Sequence, residues 1–349
     1  MNDKPPSIQE WRDLYNAAIE FKKKECWNWM WDSDIFGVQN PVTGEIGYCC
    51  VMGRAGELFA LTVFLDSEGL DGYLKIQSGE FYSFPEDMLN LQKCLTASFE
   101  DKKILQKEDF QVINKVGLKF SGHNSWPLFR SYRPGYHPWY LTSEEARYLT
   151  LCLQQTISVS LSFKDDSDLL TSPYTENHYL VRVPQKDETG LSWRDEWLEP
   201  LPLEKVEIIA EPIDTVRLEA IKRRIPHRQG VWEIDFFYFP QAVKEKEGRP
   251  FYPYVTLWVE HNSGFILSHH LEKPAECISQ FQGQFLKVAE DIKSLPQKIL
   301  VKKEETFKLL KPITYELGIK LIKVKRLRML EDAQASMSKF TVGENRDEI

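Results

Sequence analysis

The segment Arg130–Tyr140 concentrates side chains that can bind anions and stack on rings. Its sequence is Arg-Ser-Tyr-Arg-Pro-Gly-Tyr-His-Pro-Trp-Tyr. Arginine offers a planar fork of N–H donors that matches carboxylate and phosphate groups, and tyrosine and tryptophan rings stack on bases. The two prolines and the glycine indicate a rigid, irregular loop. The pattern predicts a ligand-binding site made of Arg130, Tyr132, Arg133, Tyr136, His137 and Trp139.

The same loop also has a structural interpretation. Its aromatic residues can pack beneath the helix that is predicted to begin at Thr142, with an arginine stacked on their rings. The sequence leaves both interpretations open.

A second group of cations lies near the C-terminus, in the segment Lys298–Arg328. Ten lysines and arginines stand there against three glutamates. If these cations share a face, they can attract a phosphate backbone. Strand alternation offers another explanation, since it places Lys320 on the solvent side and balances the apolar Leu321 and Val324.

The N-terminal half supplies helices and a group of strands. Ser7 with Glu10, and Thr142 with Glu145, are two capping-box patterns, and they predict helices over Ser7–Lys24 and from Thr142 to about Ser162. Turn residues separate three strands that are predicted to form an antiparallel meander: Ile35–Gln39, Gly44–Gly53 and Glu57–Leu65. Further helices are predicted at Leu70–Ser78, Asp87–Leu95 and Lys107–Val116.

Short strands at Tyr179–Val183 and Leu191–Leu198 either complete this first part or lead into the second. From Val231 the predicted order is three strands, then helix, strand, helix, strand and helix. The strands are Val231–Phe237, Tyr254–Glu260, Phe265–His270, Lys298–Val301 and Ile319–Val324. The helices are Ala275–Lys293, Glu304–Leu317 and one that includes Leu327–Met337.

This order resembles that of the ribonuclease H-like superfamily, especially its integrase and transposase branch. The resemblance covers Val231 to about Ala335, roughly a third of the chain. It implies an acid in the first strand, matched by Asp235, and a proline before the fourth strand, matched by Pro296. The full chain is also similar to a bacterial family of uncharacterised two-domain proteins, which implies no activity.

In enzymes of that superfamily, clustered carboxylates hold two divalent metals beside the scissile phosphate. The resemblance therefore implies Asp235, Glu304 and Asp332 as candidate catalytic residues, with Asp235 as a candidate metal ligand. Where the family has its second acid, this chain has Lys302 and Lys303. An ammonium group there would repel a metal, which implies a degenerate site. Alternatively, Asp235 is a strand acid that an arginine or a backbone amide satisfies.

Composition argues against several classes of function. The formal net charge is −8, so the chain as a whole is not an electrostatic nucleic-acid binder, although local patches can differ. The six cysteines include no Cys-x-x-Cys pair, which leaves a zinc site unsupported and favours reduced thiols in a cytoplasmic protein. No apolar run approaches the length of a transmembrane helix.

These observations predict an α+β protein. An N-terminal α+β domain with an antiparallel meander is expected over residues 1–175, a connecting segment over 176–229, and a ribonuclease H-like α/β domain with a mixed five-stranded sheet over 230–340. The favoured function is a non-catalytic module that binds nucleic acid or protein, without a cofactor and without a membrane. The alternatives are a nuclease dependent on Mg²⁺ or Mn²⁺, and an interaction protein that acts through its aromatic N-terminal domain. The oligomeric state is left open.

Overall fold

The computed structural model describes residues 4–79, 91–174, 177–187, 190–203, 214–239, 241–246 and 248–344. The chain divides into two compact units, Met1–Pro134 with Pro138–Glu204, and Gly135–His137 with Lys205–Ile349. Each unit has its own sheet and its own hydrophobic core. In the described residues, no helix has the length and apolar character needed to cross a membrane.

Seven strands form the sheet of the first unit. They are β1 Phe36–Gln39, β2 Ile46–Met52, β3 Ala60–Leu65, β4 Cys94–Glu100, β5 Trp126–Tyr132, β6 Tyr179–Asp187 and β7 Gly190–Leu198. Their order is β5-β4-β3-β2-β1-β6-β7. Neighbours from β5 to β1 are antiparallel, which confirms the predicted meander, while β6 pairs parallel with β1 and antiparallel with β7. The hairpin of β6 and β7 therefore completes the first sheet.

In the described residues of this unit, four α-helices accompany the sheet. They are α1 Ile8–Lys24, α2 Asp66–Ser78, α3 Lys107–Val116 and α4 Ser143–Asp165. Both predicted capping boxes are confirmed, with Ser7 and Glu10 at the start of α1 and Thr142 and Glu145 at the start of α4. Apolar residues of α1 and α4 share one core with alternate residues of the sheet, among them Leu95, Ala97 and Phe99 of β4.

Three local predictions differ from the structure. The sequence did not predict β4 and β5, and the predicted helix Asp87–Leu95 was wrong at its end because β4 begins at Cys94; residues 87–90 lie outside the described residues. Trp27, Trp29 and Trp31 alternate in sequence as in an extended segment, but Cys26–Asn28 is a 3₁₀ turn. Consequently Trp27 is buried, whereas Trp31 is exposed. Tertiary packing outweighed local propensity at these positions.

The part of the second unit that the structure describes contains a five-stranded sheet and four helices. Its strands are β8 Val231–Tyr238, β9 Tyr254–Glu260, β10 Ile266–Glu272, β11 Lys298–Val301 and β12 Lys320–Lys323. Its helices are α5 Thr215–Arg224, α6 Pro274–Ile292, α7 Glu304–Leu317 and α8 Arg328–Glu344. The sheet order is β10-β9-β8-β11-β12. β9 pairs antiparallel with both β10 and β8, whereas β8, β11 and β12 pair parallel, which confirms the predicted ribonuclease H-like fold.

The central strand β8 is covered on both faces. Trp232, Ile234 and Phe236 pack in the core that includes α6 and α7. On the other face, Phe237 packs in a smaller cluster with Leu330 of α8. Because side chains alternate along a strand, the residues at 233 and 235 point toward the α8 side.

Glu10 joins the starts of α1 and α4 in the first unit. One of its carboxylate oxygens accepts from the Ser7 amide at 2.7 Å, and the other accepts from Ser143 Oγ at 2.7 Å and from Arg147 at 2.5 Å. Burial raises the pKa of the carboxyl, but these hydrogen bonds outweigh it and lower the pKa to about 2. The charged form therefore stabilises the folded state.

Replacing Glu10 tests this connection. We expect Glu10→Gln to lower the free energy of unfolding at pH 7 by about 1.5–3 kcal/mol, the range for hydrogen bonds to a charged group. A lowered pKa contributes stability above the ordinary value near 4.5 that is lost as the pH falls toward 2. The difference should therefore shrink over that range in urea titrations. Glu20→Gln, on an exposed i,i+3 pair with Lys23, is the control and should change little; equal losses in both variants would contradict this role of Glu10.

Candidate functional site

Two buried acids of β8 form the centre of the candidate site. Asp235 is 5% exposed and Glu233 is 1% exposed. They lie two residues apart, so both point to the face of the sheet that α8 covers. A buried carboxylate requires hydrogen bonds or a cation, and the structure supplies both.

Asp235 is held by the first turn of α7. Its Oδ1 accepts from the Thr306 hydroxyl at 2.9 Å and from the amide of Phe236 at 2.9 Å. Burial raises the pKa of the Asp235 carboxyl, although the charge of Lys303 and these two hydrogen bonds act in the opposite direction. Desolvation is therefore the dominant effect on this group.

The two lysines after β11 lie among the acids. Lys303 donates from Nζ to the carbonyl of Phe236 at 2.6 Å and lies over the Phe236 ring, 5.1 Å from its centroid. Nζ of Lys302 is 3.9 Å from Oε1 of Glu331, whose other oxygen accepts from Arg326 at 2.8 Å. The positive charge beside these carboxylates thus comes from the side chains of the protein itself.

Glu233 was not predicted as a site residue. One of its oxygens is 2.6 Å from Nδ1 of His261, and the other accepts from the amide of Leu330 at 2.8 Å, in the first turn of α8. It therefore fixes the start of α8 against the sheet. The sequence contained a signal for it, because Glu233 and Asp235 alternate with apolar residues in one strand.

The other candidate acids lie at the surface. Glu304 is exposed and accepts from Nζ of Lys323 at 2.5 Å. Asp332 is also exposed, and its backbone carbonyl accepts from Ser336 Oγ. Among the residues that the structure describes, no group of three or more histidines, cysteines or acids is arranged to hold a metal ion. The structure thus does not gather Asp235, Glu304 and Asp332 into a metal site.

The donor set around Asp235 does not fit the two divalent metals of ribonuclease H-like enzymes. Hard cations require several oxygen ligands, and a two-metal site requires acids that bridge or face both ions. Here Asp235 is bound by Thr306, and the residues that follow β11 are the ammonium groups of Lys302 and Lys303. No metal-dependent step can be derived from this arrangement.

In the loop Arg130–Tyr140, the predicted ligand-binding residues make contacts within the protein. Arg130 is 9% exposed and makes a bidentate ion pair with Asp109 of α3, with N–O distances of 2.8 and 2.7 Å. Its guanidinium also lies 4.8 Å from the centre of the Tyr140 ring. The guanidinium of Arg130 therefore pairs its charge with Asp109 and packs its planar face against Tyr140, both within the first unit.

Glu145 at the start of α4 binds the neighbouring part of the loop. It accepts from Ser131 Oγ at 2.9 Å and from Arg133 at 3.0 Å. Trp139 forms an isolated antiparallel bridge with Ser131. Tyr132 ends β5 and is half-buried against a small cluster of the sheet. Tyr132, Arg133 and Trp139 therefore make contacts that hold the loop in its conformation.

Tyr136 and His137 are grouped with the second unit. Tyr136 forms an antiparallel bridge with Phe251. The amide of His137 donates to the carbonyl of Pro250 at 3.0 Å. The structure therefore does not bring all six predicted ligand-binding residues into one unit.

Comparison with known proteins identifies domains without assigned function. A model of a domain of unknown function (DUF7309) matches residues 11–182, and a second one (DUF6930) matches residues 217–338. No protein with curated annotation matches the chain.

Two solved structures of the HTLV-2 integrase catalytic core domain in complex with magnesium are similar to part of the chain, each at 18% identity and a TM-score of 0.23. The trimeric form is matched over 31% of this chain and 66% of the integrase chain, and the dimeric form over 32% and 69%. The chain therefore spans just under two thirds of the first integrase structure. The magnesium belongs to those integrase structures.

The raised pKa of Asp235 leads to a stability prediction. Asn at this position keeps an oxygen that can accept from Thr306 and Phe236, and it removes a buried charge. A raised acid pKa destabilises the folded state above that pKa and has no effect below the ordinary value, so Asp235→Asn should be at least as stable as the wild type at pH 8. Its advantage should vanish as the pH falls toward 4 in denaturant titrations.

Glu233→Gln, on the same face of the same strand, is the matched control. Glutamine has one acceptor oxygen and cannot replace both carboxylate oxygens, which contact His261 and the Leu330 amide. We expect this variant to lose about 1–3 kcal/mol of stability at pH 8. A comparable loss in Asp235→Asn would show that the Asp235 charge stabilises the fold.

The ion pair of Arg130 and Asp109 can be tested by a double-mutant cycle. Arg130→Met should lower the free energy of unfolding by about 3–5 kcal/mol because it leaves Asp109 buried without its cation. Adding Asp109→Asn should recover part of that loss, measured by chemical unfolding. Strictly additive losses would contradict direct coupling of the two side chains.

Proposed function

We propose that this protein is a non-catalytic binding module of the cytoplasm, built on a ribonuclease H-like unit whose acid site is closed by lysine. The position of Lys303 beside Asp235 is the main observation that supports this proposal. Its ammonium group is fixed to the carbonyl of Phe236, the residue next to Asp235, and its charge acts on the Asp235 carboxylate. Lys302 stands beside Glu331 in the same region.

Electrostatics explain why this arrangement opposes metal-dependent catalysis. Two like charges 4 Å apart repel by about 1 kcal/mol in water and by several times more near a protein interior, and the repulsion doubles for a divalent ion. A metal at Asp235 would also have to displace the Thr306 hydroxyl from the carboxylate. The side chains around Asp235 therefore favour a site whose carboxylate is already hydrogen-bonded and charge-compensated within the protein.

The distribution of charge in the second unit favours nucleic acid over protein as the partner. Six cations of the segment Lys298–Arg328 form no ion pair within the described part of the chain: Lys298, Lys308, Lys311, Lys320, Lys325 and Arg328. A surface with several uncompensated cations attracts phosphate groups. The aromatic first unit remains the alternative surface for a protein partner.

The nuclease alternative requires a metal that depends on Asp235. We therefore expect calorimetric titration of Mn²⁺ to give the same isotherm for the wild type and for Asp235→Asn. No Mn²⁺-dependent cleavage of single- or double-stranded DNA or RNA is expected from the wild type.

Asp332→Asn, at an exposed acid, controls for general charge effects. Binding of Mn²⁺ or cleavage that is lost in Asp235→Asn and retained in Asp332→Asn would replace the non-catalytic proposal with the nuclease.

A further inference from the structure

The outward face of α7 carries a regular set of exposed side chains. Leu309, Leu310, Ile313 and Leu317 of this helix are buried in the core of the second unit. On the opposite side, the exposed residues Lys308, Lys311 and Tyr315 follow one another at spacings of three and four. Such spacing aligns side chains along one face of a helix, here over a rise of about 10 Å.

β12 adds a further cation to this face. Lys323 is exposed and reaches Glu304 in the first turn of α7, with an N–O distance of 2.5 Å. The hydrogen bond and charge of Lys323, followed by the charges of Lys308 and Lys311, lower the pKa of Glu304. All three ammonium groups therefore act on one carboxylate. We call Lys308, Lys311, Tyr315 and Lys323 the α7 stripe.

The α7 stripe has an excess of positive charge. Lys308, Lys311 and Lys323 together with Glu304 have a net charge of +2. The exposed Glu305 and Glu316 of α7 are not part of the stripe, and Glu316 pairs with Lys222. Lys308 and Lys311 have no ion-pair partner among the residues that the structure describes. The overall charge of −8 does not cancel this attraction, because salt screens charges beyond about 8 Å at physiological ionic strength.

Tyr315 gives the stripe an open aromatic surface. At 83% exposure it is the most exposed aromatic side chain in the described residues. Exposing a large ring has no packing benefit for the folded chain, and a ring next to cations is the combination that binds single-stranded nucleic acid. The cations hold the phosphates, and the ring stacks on a base.

We infer that the α7 stripe binds single-stranded nucleic acid, with Lys308, Lys311 and Lys323 at the phosphates and Tyr315 stacked on a base. This inference rests on the proposed binding function, and it names the surface and the partner. A single strand fits better than a duplex because its bases are free to stack on Tyr315. The surface does not use Asp235, so binding here requires neither the metal nor the acids of a nuclease.

Fluorescence anisotropy with labelled single-stranded DNA and RNA, and with a duplex of the same sequence, tests the inference on the full-length protein. The variant Lys308→Gln/Lys311→Gln should bind the single strand more weakly, and the slope of log K against log salt should fall by about 1.4, since each lost phosphate contact removes about 0.7. Tyr315→Ala should weaken binding by about 5- to 150-fold, whereas Tyr315→Phe should retain it.

Lys107→Gln/Lys115→Gln provides a matched control, because it removes two exposed lysines from α3 in the first unit. It should leave affinity within about twofold of the wild type, and circular dichroism should show that all variants are folded. The inference is overturned if the single strand does not bind, if the duplex binds as tightly, or if the α7 variants bind like the control. Failure of binding together with unchanged Mn²⁺ titrations would leave the non-catalytic module with a protein partner.

Discussion

A carboxylate buried in a central strand has to be compensated within a few ångströms, and this requirement organises the second unit. Glu233 and Asp235 point from β8 into the same face of the sheet. Glu233 accepts a hydrogen bond from the first turn of α8 and contacts His261. Asp235 accepts a hydrogen bond from Thr306 in the first turn of α7. The two acids thereby fix where the last two long helices begin, and they leave little capacity for an external cation.

The first unit follows the same principle with different groups. Glu10 binds the start of α4, and Glu145 binds the loop that follows β5. The buried pair of Arg130 and Asp109 connects β5 to α3. In each case an acid at or near a helix start holds a second element, so the residues that look suited to ligand binding are engaged in assembling the fold.

Two pairs of lysines in the second unit have different surroundings. Lys302 and Lys303 are half-buried next to acids, where they act as internal counter-charges. Lys308 and Lys311 project outward from α7, where internal carboxylates do not neutralise them. Because function depends on the site and not on the fold alone, the order of elements in this unit does not by itself assign metal-dependent chemistry to it.

Local sequence determined those features whose partners are three or four residues apart. The capping boxes of α1 and α4 were predictable because donor and acceptor lie within one helical turn. The order of strands and helices after Val231 was also predictable, because each element has its own apolar period. Tertiary structure alone decided which partner satisfies each buried charge. Arg130 meets Asp109 across 21 residues and Glu233 meets the Leu330 amide across 97, and such distant pairs follow only from how the sheets and helices pack.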